Sequence, residues 1–183
     1  MSKILVDTID TRSGTSNITI GSSNASQITL KSGATLTNFP ANTPAFYAYG
    51  TNNQQIPNTT YTKVVFVSEF YDTDSAFDTS TYRFTVPSGK AGNYLFTYNI
   101  RTEAAFEDEE RLIVKIYKNG SAYEYGTSET RSSKSSMNMQ KALSVTMNLV
   151  AGDYVEVYSY HDEGANVQYE QGNCFFSGCR LIT

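Results

Sequence analysis

The chain has 183 residues, a formal net charge of −4 and an isoelectric point near 5.0, so it offers no basic field to hold phosphate backbones and nucleic acid is not an expected partner. Its apolar runs are a few residues long, far short of the ~20 that a membrane-spanning helix needs, and no membrane insertion is expected. The length suits one well-buried domain with an appendage rather than two large domains.

The appendage comes first. All 14 Tyr lie after residue 43, as does every Phe except Phe39, so the first forty residues cannot build a comparable core. The opening MSKILVDTID carries Asp7 and Asp10 where an apolar signal region of ~7–15 residues would stand, which predicts no classical export. SNITIGS at 16–22 and SQITLKS at 26–32 repeat with a ten-residue offset, and ATLTNF at 34–39 is a degenerate third copy. Each copy predicts a short β-branched strand. So few copies cannot bury their apolar faces alone, which makes the segment dependent on partner chains; its Ser/Thr/Asn/Gly content also suits a loose leader. Ile4, Val6, Ile9, Ile18, Ile20, Ile28 and Leu30 are the candidate anchoring residues. Asn42, Thr43 and Pro44 mark a boundary between a β-rich stalk at 1–43 and a head at 44–183.

From Pro44 onward, short strands alternate with turn signals and no helical period persists. Strands are predicted near 45–49, 61–67, 81–86, 92–102, 111–118, 121–127, 140–149, 153–161 and 173–182. In GNYLFTYNI, Tyr94, Phe96, Tyr98 and Ile100 share one face and read as core, because successive side chains of a strand point to opposite sides. Lys118-Asn119-Gly120 is the strongest hairpin signal, since Asn-Gly accepts the positive φ angles of a type I′ turn. Leu143, Val145, Met147 and Leu149 alternate cleanly into Ala151-Gly152-Asp153, which turns the chain into YVEVYSY. About ten such strands predict an all-β jelly-roll sandwich, with an up-and-down barrel as the alternative. In YVEVYSY, Val155 and Val157 point one way and Tyr154, Tyr158 and Tyr160 the other; three tyrosines off the core face are candidates for a subunit interface. The surface loops expected to carry recognition are 103–111, 127–139 and 161–172. Cys174 and Cys179 lie five apart in an extended stretch, roughly 16 Å between Cα atoms, beyond the ~7 Å limit of a disulfide. Reduced thiols are expected, consistent with assembly in a cytoplasm.

Phe66, Asp72, Phe77, Phe84, Gly92, Tyr94, Phe96 and Tyr98 form one ordered series. The series resembles that of the globular head of the first complement component and its tumour necrosis factor-like relatives, which end in a Gly-x-Tyr-x-Phe-x-Tyr strand. LIVKIYKNG at 112–120, VAGDYVEV at 150–157 and FSGCRLI at 176–182 look like further family elements, while PSGKAG before Gly92 is two residues longer than the family's turn. The resemblance implies a trimeric jelly roll and, for some members, calcium near the trimer apex. Asp162 and Glu163 are the acidic pair this would draw on, with Glu107, Asp108, Glu109 and Glu110 as a second acidic loop. No other cofactor is expected.

Secreted members carry signal peptides and often collagen stalks, and no Gly-X-Y period is present here. The leader instead looks like the N-terminal segments of virion proteins of tailed bacteriophages, marine phages in particular. That resemblance implies a virion structural protein assembled in the host cytoplasm: a homotrimeric tail fibre bound to other virion proteins through residues 1–43, with heads that meet a host-surface glycan or protein. A capsid decoration or head-fibre protein, and a free bacterial complement-like binding module, are the alternatives. His161 is the only histidine, and neither a catalytic triad, a zinc spacing nor a phosphate-binding glycine loop is present, so no enzymatic activity is expected.

Overall fold

The computed structural model describes residues 32, 42–50, 53–103, 106–132 and 138–181. The chain divides into two units, Met1–Phe39 and Pro40–Thr183. The predicted repeats and the anchoring candidates Ile4, Val6, Ile9, Ile18, Ile20, Ile28 and Leu30 lie outside the described residues.

Thirteen strands follow one another among the described residues: β1 (Ala45–Tyr49), β2 (Gln54–Ile56), β3 (Thr62–Lys63), β4 (Ser68–Asp72), β5 (Phe77–Asp78), β6 (Arg83–Thr85), β7 (Gly92–Arg101), β8 (Arg111–Lys118), β9 (Ser121–Arg131), β10 (Gln140–Leu149), β11 (Tyr154–His161), β12 (Val167–Tyr169) and β13 (Phe175–Arg180). One sheet runs β10-β7-β13-β1-β4 and the other β5-β6-β11-β8-β9, with β3 also on β11; β12 and β2 form a third pair. Chain neighbours such as β7 and β8 sit in different sheets. These crossovers make a jelly roll and rule out the up-and-down alternative, in which sequential strands would pair.

The core lies between the two sheets and is largely aromatic. Phe46 stacks on Phe77 and Phe84 with ring centroids 5.0 and 5.1 Å away, and meets Phe176 edge-on at 5.1 Å. Offset and edge-on pairs of this kind add about 0.5–1.5 kcal/mol beyond the area they bury. Tyr94, Phe96, Tyr98 and Ile100 are fully buried, as the alternation predicts, and so are Phe66 and Phe84. Tyr98 also ties the sheets together: its hydroxyl donates to the Val114 carbonyl at 3.1 Å and lies 2.7 Å from Ser128 Oγ. Burial pushes this phenol up to about 12, only partly offset by Ser128.

Asp72 and Gly178 decide how closely the backbone can pass here. Asp72 accepts from the amides of Phe77 at 2.8 Å and Asp74 at 3.3 Å, closing the turn between β4 and β5. Gly178 lies opposite Phe96 in the β13–β7 register; a Cβ there would fall 2.5 Å from Phe96 Cδ1 and 3.0 Å from Phe46 Cε1. The glycine is what lets both rings close over β13.

The two turn motifs clasp each other. Asn119 and Gly120 take φ of 52° and 79°, as a type I′ turn requires. Asn119 Nδ2 donates to Asp153 Oδ1 at 2.7 Å, Asn119 Oδ1 accepts from the Tyr154 amide at 2.9 Å, and Lys118 Nζ pairs with Asp153 Oδ2 at 2.9 Å. Burial alone would raise the Asp153 carboxyl, but the bonds from Asn119, the Val150 amide and Lys118 outweigh it and hold it at about 2.

The predicted strands at 45–49, 111–118 and 140–149 match the observed bounds. Four short strands, β2, β4, β5 and β12, are not in the sequence-based reading. In 61–67 only Thr62–Lys63 forms a strand. β4 evades periodicity because the register slips between Tyr47 and Ala48, which face Tyr71 and Glu69 and leave Phe70 as the extra residue of a bulge. Part of each presumed recognition loop is also strand: 127–131 completes β9, and within 161–172 Val167 and Tyr169 of β12 are buried.

Gly178→Ala is expected to lower unfolding free energy by about 1–3 kcal/mol, the usual cost of overpacking a filled core. Gly172→Ala, where a Cβ meets nothing within 4 Å, should stay within about 0.5 kcal/mol; urea titration separates the two. Asp153 has a depressed carboxyl, so its contribution is complete above the unfolded value near 3.8 and is lost as pH falls toward about 2. Asp153→Asn should therefore flatten the fall in melting temperature between pH 4 and 2.

Candidate functional site

Each sheet turns one face to the core and one away from it, and the two outward faces differ in chemistry. On the outward face of the β10-β7-β13-β1-β4 sheet, rings gather without charge. Tyr47 stacks on Phe175 at 5.0 Å, Tyr49 stacks on Phe70 at 4.4 Å, and Tyr47 lies 5.2 Å from Phe70 and 6.4 Å from Tyr71. The β4 bulge is what turns Phe70 and Tyr71 to the same side. Phe70 is 71% exposed and Tyr71 51%. Beside them Tyr49, Asn99, Asn173 and Phe175 help to line a recess of about 560 Å³. Its polar rim is fixed: Asn99 donates to the Asn173 carbonyl at 2.5 Å and accepts from Gln140 Nε2 at 2.6 Å.

The outward face of the other sheet is centred on β11 and carries the tyrosines expected at a subunit interface. Tyr154, Tyr158 and Tyr160 do lie off the core face, while Val155, Val157, Ser159 and His161 are buried. Each ring, however, has neighbours from its own chain. The Arg83 guanidinium sits 3.8 Å from the Tyr154 centroid, Lys63 lies 6.0 Å from Tyr158, and Arg111 lies 5.8 Å from Tyr160. Tyr117 packs on Tyr158 at 4.1 Å and Tyr61 on Tyr160 at 5.0 Å. Beneath them Glu156, only 2% exposed, accepts from Lys63 at 2.6 Å and from Arg83 Nε and Nη2 at 3.1 Å. An apolar subunit contact fits the open aromatic face better than this cation-covered one.

The acidic candidates for calcium do not converge. Both Asp162 oxygens are held by Arg111, through its amide at 2.5 Å and Nε at 2.6 Å, and Glu163 Oε2 accepts from the Ala165 amide at 3.0 Å. Burial opposes the charge on Asp162, yet the Arg111 bonds bring its carboxyl below the ordinary value. In the second loop Glu110 accepts from the Glu107 amide at 2.7 Å and Glu109 lies 3.7 Å from Arg131. Among the described residues no group of three His, Cys, Asp or Glu side chains is placed to hold a metal. Within one chain, the described residues form no calcium site, because hard cations want several free oxygens at once.

His161, expected at the junction of the 153–161 strand and the 161–172 surface loop, ends β11 fully buried. Its Nε2 lies 2.8 Å from the Ile56 carbonyl and its Nδ1 accepts from the Glu163 amide at 3.4 Å. Both ring nitrogens face backbone groups, an arrangement that ties strands together and leaves neither for proton transfer to a substrate. Cys174 and Cys179 are both free thiols, as expected. Burial pushes the Cys174 thiol up to about 11, against the opposing bond with Arg101.

The two features missed from sequence are the Phe70 and Tyr71 pair on a bulged strand and the cations that come to the β11 tyrosines from three other strands, β3, β6 and β8. Alternation within β11 flagged its tyrosines; nothing local could name their neighbours.

Comparison with known proteins places the head. A family model described as the C1q domain matches residues 45–181. The globular domain of zebrafish complement 1qA protein superposes with a TM-score of 0.58 at 19% identity, covering 76% of this chain and 98% of that one. Murine APRIL superposes with a TM-score of 0.54 at 13% identity, covering 75% and 98%. Among curated proteins, uncharacterized protein YqcC of Bacillus subtilis (strain 168) is 29% identical over 119 residues, 63% of this chain but 32% of that relative.

Removing the buried carboxylate tests how the tyrosine face is held. Glu156→Gln leaves Lys63 and Arg83 without their shared partner and should lower unfolding free energy in urea by about 1–3 kcal/mol, moderated because both cations reach solvent.

Proposed function

We propose that this chain, which belongs to the C1q domain family, is a non-enzymatic binding protein that works as a homotrimer on a bacteriophage particle, with residues 1–43 anchoring it to other virion proteins and the head facing outward. The observation that carries the trimer is the open aromatic face built from Tyr47, Tyr49, Phe70, Tyr71 and Phe175. A cluster of packed rings whose Phe70 and Tyr71 stand in water is costly there and is relieved when copies of the chain cover it. Cyclic symmetry brings the same patch from each copy to one axis. The three outward heads then gain from avidity, so weak contacts with a host-surface glycan or protein add up without any new type of contact.

The virion setting rests on the leader's likeness to phage structural proteins and agrees with free, reduced cysteines. A free bacterial binding module is the second reading, favoured by the similarity to a Bacillus subtilis protein.

Light scattering across a dilution series should give about three times the 20.3 kDa chain mass. Phe70→Ser with Tyr71→Ser should shift this toward the monomer with little change in protomer melting, since both rings are exposed. A wild-type monomer at all concentrations would remove the trimer. Antibody labelling of purified particles should mark tail fibres; label confined to the capsid would select the decoration role, and protein found only free of particles would select the bacterial module.

A further inference from the structure

Resting on the reading of the head as a binding module, we propose that the β11-centred face is its ligand-binding face and that the ligand is a carboxylate-bearing polysaccharide, bound across Tyr61, Tyr160, Lys115 and Arg111.

Charge points to the class of ligand. The chain as a whole carries −4; on this face Lys63, Arg83, Arg111 and Lys115 meet Glu156 and Asp162, and Glu129 on β9 also acts on Arg111. Glu156 sits beneath the rings and balances one of its two cations; Asp162 balances Arg111. At the edges Glu129 lies 3.7 Å from Arg131, and Asp78 is bound into its own turn by Ser80 and Thr81. The centre of the face still holds positive charge without a carboxylate partner. Lys115 is the clearest part of it: its Nζ stands 4.6 Å from the Tyr61 centroid, and among the described residues it has no carboxylate within ion-pair distance.

Geometry points to a glycan. β11 is paired along its length, with β8 on one side and β6 and β3 on the other. It has no free edge to add a peptide strand to, so a peptide would lose the main-chain bonds of strand addition. What the face offers is flat rings alternating with cations: Tyr61 is 36% exposed beside Tyr160. Tyrosine rings take the C–H faces of pyranoses, and guanidinium and ammonium groups take uronate carboxylates as charge-assisted hydrogen bonds. Lys63 and Arg83, a quarter to a third exposed, extend the same chemistry along the strand.

Binding of polygalacturonate, its methyl ester and poly-glutamate to the full-length protein, followed by calorimetry at two salt concentrations, tests this. Polygalacturonate should bind, its neutral ester should not, and poly-glutamate should bind at least fivefold more weakly. Lys115→Gln and Tyr61→Ser should each weaken polygalacturonate binding fivefold or more with melting temperature kept, while Lys141→Gln on β10 of the other sheet should leave it unchanged. No binding by a protein that is still trimeric overturns the ligand assignment and leaves the trimeric head standing. Equal binding of poly-glutamate replaces the polysaccharide with an acidic peptide, and unaltered binding by Lys115→Gln overturns the location. A monomeric native mass counts against the reading beneath the proposal rather than against the face.

Discussion

Phe46 sets the distance between the two sheets, and the rest of the head is arranged around that spacing. Its ring touches Phe77 and Phe84 from one sheet and Phe176 from its own, so it can move toward neither without losing stacking on the other. Close packing of stiff rings leaves little room for adjustment. That is why Gly178 matters: the neighbouring strand must approach so closely that a single methyl group would strike Phe96. The Tyr98 hydroxyl crosses the same gap to Val114 and Ser128, so the spacing is fixed by a polar bond as well as by packing.

With both inner faces committed to the core, function falls to the outer ones, and these separate by chemistry. One presents rings that bear no charge and remain open, suited to burial against further copies of the chain. The other presents rings with cations over them and a carboxylate beneath, suited to a polar, acidic ligand in water. Buried charges need partners, and Glu156 has two; its burial also holds Lys63 and Arg83 up against the tyrosines. On the proposed reading, a single domain assembles through one sheet and binds through the other without the two surfaces competing.

The turns make this division stable. Lys118-Asn119-Gly120 and Gly152-Asp153 are far apart in sequence, yet each supplies what the other lacks: an amide side chain for the carboxylate, and an acceptor for the turn. Their mutual bonds hold the ends of β8 and β11 in register, and register decides which side chains reach each outer face.

Strict alternation is visible along a sequence, so the buried set Tyr94, Phe96, Tyr98 and Ile100, the Asn-Gly hairpin and the all-β class were determined by the residues alone. Period two states which side chains point away from the core; it does not state what comes to cover them. The three β11 tyrosines were legible as outward, but the cations on them arrive from β3, β6 and β8 by pairing across the sheet. Phe70 and Tyr71 were illegible for a different reason: a bulge breaks the period at the point where the open face is made. His161 became a buried brace because β2, a three-residue strand too short to show periodicity, lies against it. The sequence determined the core because burial is written in local pattern, and only the tertiary structure decided the surfaces because their chemistry depends on neighbours distant in the chain.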